Sequence, residues 1–174
     1  MKSLKQYHIP FTGLKTGKHQ FDFDVDELFF NEFEYSLVKR GNLKVNLELD
    51  KQATMLILSF SIVGEIYLNC DVCLADFPTP VNITERQIVK FGEEDIDETE
   101  EIIVLNRNEH EIDVSGLIYE FINLATPYIS RCENEGNMPW CDMGMIEKLK
   151  TLSEKDAINT GDPRWEALKK IKNN

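Results

Sequence analysis

The stretch NLKVNLELDKQATMLILSFSIVGEIYLNC, residues 42–70, decides how this chain is read. Leu43, Val45, Leu47 and Leu49 alternate with polar residues, the period of a strand with one buried face. A second apolar run extends from Met55 to Leu68, and residues 50–53 between the two are polar enough to turn. Residues 42–68 are therefore predicted to form a long antiparallel hairpin.

The neighbouring segments extend this pattern. Upstream, HQFDFDV (19–25) places Phe21, Phe23 and Val25 on one face, and DELFFNEF (26–33) fits a short helix capped by Asp26. Downstream, PVNITERQIVKF (80–91) alternates again and predicts a further strand, and IIVL (102–105) is a short apolar run. From residue 111 the period changes. EIDVSGLIYEFINLATP (111–127) spaces Val114, Leu117, Ile118, Phe121 and Ile122 at helical intervals before Pro127. Ile146–Leu152 is a second helical candidate. DPRWEALKKIKNN (162–174) is a third, with Asp162 as cap and Pro163 in the first turn. The expected fold is α+β: an antiparallel β-sheet or small barrel over residues 1–105, followed by a helical part over 111–171. No repeat or Pro/Gly-rich linker interrupts residues 1–174, so a single domain is expected.

Composition narrows the class. Hydrophobic residues at 42% and charged residues at 29% suit a globular chain, and no apolar run is long enough to span a bilayer. MKSLKQYHIPFTG at the start lacks the apolar stretch of a secretory signal, so a reducing, cytoplasmic setting with free thiols is expected. The net charge of −12 is uneven. Residues 1–91 carry 10 basic and 12 acidic groups, 92–131 carry 2 and 11, and 132–174 carry 7 and 8. Seven of the ten residues in GEEDIDETEE (92–101) are acidic, which predicts a solvated loop that either keeps a strand edge soluble or attracts a basic partner. Direct nucleic-acid binding needs a basic surface, and the sequence offers no obvious one.

The cysteines are the main candidates for chemistry. Cys70 and Cys73 have the CxxC spacing that lets two thiolates meet one ion; Cys132 and Cys141 form a second, looser pair. Together they could make a closed, structural zinc site; alternatively Cys70 and Cys73 are small apolar residues ending a strand. A redox pair of the thioredoxin type would sit at a helix start in a βαβ setting, which the antiparallel pattern does not provide. His8, His19 and His110 are scattered, and no GxSxG, HExxH, Walker or GxGxxG motif is present. In the tail, Trp165, Leu168 and Ile171 at helical spacing amid Lys169, Lys170 and Lys172 describe either a packed terminal helix or a docking helix.

The ordered set LNCDVCLADFPTPV, IDVSGLIYEFINLATP and DPRWEALKK, with an acidic loop between the first two, resembles the YceD family over roughly residues 40–171. This is a family of bacterial and plastid proteins linked to accumulation of the large-subunit ribosomal RNA, whose gene often neighbours one for a large-subunit ribosomal protein. Cys70, Cys73 and Leu74 carry the first element; Asp113, Glu120, Leu124 and Pro127 the second; Asp162, Pro163, Arg164 and Leu168 the third. Many relatives have a compact C-terminal cysteine cluster resembling a zinc-binding element, from which the eight residues between Cys132 and Cys141 depart. The resemblance implies a non-enzymatic accessory factor in ribosome biogenesis that supports accumulation or processing of 23S ribosomal RNA. The acidity points to a ribosomal protein or large-subunit assembly factor as partner, with ribosomal RNA contacted indirectly if at all. Asp162, Pro163, Arg164 and Trp165 are the candidate partner-binding residues, and Zn2+ on the four cysteines is the candidate cofactor. The alternative is a zinc-dependent or RNA-processing enzyme acting on precursor ribosomal RNA.

Overall fold

Strict alternation along residues 40–68 produces two strands that hide the same kind of face from water. In the computed structural model, which describes residues 3–92, 102–106, 108–132 and 138–158, β3 (Arg40–Lys51) and β4 (Met55–Asn69) pair antiparallel, with Gln52 N–H donating to Met55 O at the turn. The register sets Val45 opposite Ile62, Leu47 opposite Phe60 and Leu49 opposite Leu58, all fully or almost fully buried. Each such side chain contributes about 1.5–3 kcal/mol on leaving water. A slip of one residue would instead bury Lys44, Asn46 and Glu48, so the pattern holds the register.

β2 (Gly17–Val25) pairs antiparallel on the outer side of β3, setting Phe21 against Leu47 and Phe23 against Val45. On the solvent face the same pairing brings Lys18 Nζ to 2.7 Å from Glu48 and lets Asn46 Nδ2 donate to Asp22 Oδ1 at 2.8 Å. α1 (Glu27–Asn31) starts where expected: Asp26 Oδ1 accepts from the N–H groups of Leu28 and Phe29. It buries Phe29 and Phe30, and Phe29 meets the ring of Tyr7 at 5.0 Å.

Beyond β4 the sheet continues through β5 (Asp76–Gly92) to β6 (Ile102–Asn106), in the order β2-β3-β4-β5-β6. This is an open sheet with β2 and β6 at its edges, so the barrel alternative is not realised. Nor is it wholly antiparallel, because β6 lies parallel to β5, with Ile88 beside Ile102 and Gly92 beside Asn106. Returning from Gly92 to the level of Ile88 spans only about 13 Å at strand rise, within reach of the nine intervening residues. Apolar alternation carries no information on strand direction, which is why the sequence did not show it. A separate two-stranded pairing joins β1 (His8–Ile9) to β7 (Ile112–Asp113), so extended structure persists to residue 113.

α2 (Ser115–Leu124) follows at once; Asp113 Oδ1 accepts from Ser115 N–H at 2.9 Å, and Ile118 and Ile122 are fully buried. Phe121 meets Phe60 of β4 edge to face at 5.2 Å. α3 (Met143–Ile158) is longer than its apolar spacing suggests, and Asp142 Oδ1 accepts from Met145 N–H in its first turn. The chain divides into two compact units, residues 1–68 with 78–130 and residues 69–77 with 131–174. The acidic run at 93–101 and the terminal DPR segment lie outside the described residues.

Candidate metal centre

The second unit takes its first segment from the link between β4 and β5. Asn69 Nδ2 donates to Asp76 Oδ1 at 2.6 Å, tying the two ends together. Inside that clasp Cys70 N–H donates to Ala75 O and Leu74 N–H to Cys70 O, both at 2.9 Å. Closing so tight a loop forces Leu74 to a φ of 63°, the only positive φ at a non-glycine position among the described residues. The loop folds Cys70 and Cys73 inward, while Leu74 stays largely exposed.

Cys132 joins them from across the sequence. The sulfurs of Cys70, Cys73 and Cys132, all buried, lie within 4.8 Å of one another, and Cys73 Sγ stands 3.8 Å from Cys132 Sγ. That separation has chemical meaning. Two thiolates bound to one zinc at about 2.3 Å and a tetrahedral angle sit about 3.8 Å apart, whereas a disulfide brings its sulfurs to about 2.05 Å. All four cysteines are free, and Cys141, half-buried, lines the same cavity of about 290 Å3 without entering the 4.8 Å set. The structure thus gathers three of the four candidates into a group that could hold a metal and leaves the fourth on its wall. The eight residues separating Cys132 from Cys141 do not prevent this, because it is the fold that closes the distance.

The electrostatics of the group are asymmetric. Burial raises the Cys70 thiol, but the backbone N–H groups of Cys73, Cys132 and Val72 and the Cys73 thiol favour its thiolate more strongly, bringing its pKa from 9.0 down to about 6. Burial and the neighbouring thiols of Cys141, Cys70 and Cys73 push Cys132 up to about 12. Cys141 is also raised, chiefly by loss of solvent. One sulfur thus holds negative charge while its neighbours supply protons to it, so the group titrates as a unit. Arg131 and Lys150 line the cavity and place positive charge beside sulfurs that turn anionic on binding a metal. Spacing rules could not find these two cations, since only the fold sets them against the thiols.

Among the described residues, Val72, Met143 and Ile146 complete the cavity walls. A soft sulfur set of this kind suits a structural ion. The histidines lie elsewhere: His8 contacts Glu111 at 3.0 Å and Asp113 at 3.7 Å, His19 Nε2 contacts Lys15 O at 2.8 Å, and His110 is exposed. Of the other motif residues, Asp113 starts α2, whereas Glu120 and Leu124 face solvent. Asp162, Pro163, Arg164 and Trp165 lie outside the described residues.

A family model described as large ribosomal RNA subunit accumulation protein YceD matches residues 58–172, a stretch that includes all four cysteines. The chain is also similar to the uncharacterized protein YlbN of Bacillus subtilis (strain 168), with 26% identity over 156 residues covering 88% of this chain and 89% of that protein. No solved structure gives a significant match.

Proposed function

We propose a binding role in ribosome biogenesis for this chain, which belongs to the YceD family, that of the large ribosomal RNA subunit accumulation protein. In this reading it acts in the cytoplasm as a non-enzymatic accessory factor. It supports accumulation or processing of 23S ribosomal RNA by holding a ribosomal protein or assembly factor. The family match over residues 58–172 carries the reading. The net charge of −12 supports a basic protein as the direct partner, because phosphate backbones are repelled by such a surface. The test uses the purified full-length chain against large-subunit ribosomal proteins and against naked large-subunit RNA. Retention of a ribosomal protein is expected; retention of naked RNA with no ribosomal protein overturns the reading.

Zinc is the ion that suits the thiol group, with Cys70, Cys73 and Cys132 as ligands and Cys141 completing the tetrahedron. Such a site would be structural, tying residues 69–77 to 131–158. Metal analysis should return about one zinc per chain, and Cys141→Ser should weaken its retention at least tenfold. The rival reading, a zinc-dependent or RNA-processing enzyme, requires Cys141 to stay off the metal so that a water takes the fourth position. Full zinc occupancy in Cys141→Ser, together with cleavage of precursor ribosomal RNA by the purified protein, would decide for the enzyme.

A further inference from the structure

On the first unit, the segment after α1 and the exposed side of α2 form a groove of about 490 Å3 lined by Tyr35, Leu37, Tyr119, Glu120, Asn123 and Leu124. Local structure forces its apolar side chains outward. Ser36 and Val38 are buried, the Ser36 hydroxyl donates to Val38 O, and Ser36 N–H donates to Phe33 O. With alternate residues pinned inside, Tyr35 and Leu37 are left 84% and 76% exposed. Across the groove, Ile118 and Ile122 hold α2 against the core, which leaves Leu124 80% exposed. Phe33 stacks on Tyr119 at 4.0 Å between near-parallel rings and makes that wall firm.

Single exposed leucines are ordinary, but three large apolar side chains around one shallow concavity resemble the centre of an interface. The charge on its lining is acidic, although Lys39 is exposed two residues beyond Leu37. Glu120 lines the groove, Glu34 is exposed beside Tyr35, and among the described residues no cation lines it. Asn123, whose Nδ2 donates to Tyr119 O at 2.7 Å, keeps a buried Oδ1 with no hydrogen-bond partner.

We infer that this groove docks a segment of a basic protein, in which apolar side chains seat among Tyr35, Leu37 and Leu124 while a Lys or Arg meets Glu120. Tyr35 alone could stack on a nucleobase. The carboxylates beside it and the acidity of the whole chain oppose a phosphate backbone, so the charge decides for protein over RNA.

The inference rests on the proposed binding role, and its test separates the two. The full-length chain, Leu37→Glu/Leu124→Glu and Glu120→Lys are titrated with individually purified basic large-subunit ribosomal proteins and with naked large-subunit RNA. The altered side chains are exposed, and unchanged circular dichroism verifies the fold. At least one ribosomal protein is expected to bind the native chain. Its affinity should fall at least tenfold in the double variant, and its salt dependence should weaken in Glu120→Lys. Binding of that protein with native affinity by both variants overturns the groove and leaves the binding role intact. RNA binding that the double variant abolishes overturns the choice of a protein occupant. Failure of the native chain to bind any of these proteins removes both readings.

Discussion

At the scale of single residues, two backbone positions have opposite consequences. Gly64 lies opposite Leu43 in the β3–β4 pair with φ 156°, and a Cβ there would collide with Asn42 O and stand 2.7 Å from Leu43 Cα. Both contacts are backbone atoms in the middle of a sheet and cannot retreat. Gly64→Ala should therefore cost about 2–4 kcal/mol, read as a lowered midpoint in urea unfolding. Leu74 reverses the case: its left-handed φ of 63° suits glycine, and its exposed side chain has little to lose. Leu74→Gly should leave stability unchanged or raise it by up to about 1 kcal/mol, despite the freer unfolded chain. The thiols add a pH dependence to the metal-free protein. Cys70 has a folded pKa of about 6 below its ordinary 9.0, so its stabilisation is complete above that ordinary value, declines as pH falls and is gone below 6. Cys132, raised to about 12, changes stability only above its ordinary 9.0. Unfolding free energy should thus rise from pH 6 to 9, and Cys70→Ser should flatten that rise; a slope unchanged in the variant would refute the assignment to Cys70. The CxxC spacing showed that Cys70 and Cys73 can meet. Nothing local in the sequence showed that Cys132, 59 residues on, comes within 3.8 Å of Cys73.

At the scale of elements, caps and periods were the legible part. Asp26 was readable as the start of α1 because a short acceptor precedes an apolar run, and the structure gives it two N–H donors. Asp26→Ala should cost about 1 kcal/mol, measured by thermal unfolding, with the loss confined to that helix and the Phe29 and Phe30 packing it directs. The alternation of β3 and β4 was equally readable, since a buried face leaves only one workable register. The direction of β6 was not, because a five-residue strand of mostly half-buried residues looks the same either way. α3 was read too short for a related reason: its described side chains are exposed or half-buried, so apolar spacing underestimates a helix opened by Asp142. The groove could not be read at all: the helical period turns Leu124 away from buried Ile118 and Ile122, but only tertiary packing sets Tyr35 and Leu37 beside it.

For the whole molecule, the two sets of contacts predict different responses to one treatment. If zinc organises the thiols, a chelator should raise amide hydrogen exchange across residues 69–77 and 138–158 while the amides of β3 and β4 stay protected by their ladder. Uniform exchange with and without chelator would count against the metal. The pairing of β1 with β7 carries a further consequence, for the order in which the molecule is built. His8 lies opposite Asp113, so β1 joins a partner made more than a hundred residues later. Closing a loop of that length costs about 4 kcal/mol in chain entropy before any contact is gained. During synthesis at about 5–20 residues per second the first strand waits on the order of 5–20 s, while the meander from β2 to β5 can already assemble. The segment that bears β1 therefore stays open to proteases and chaperones until β7 has emerged to pair with it.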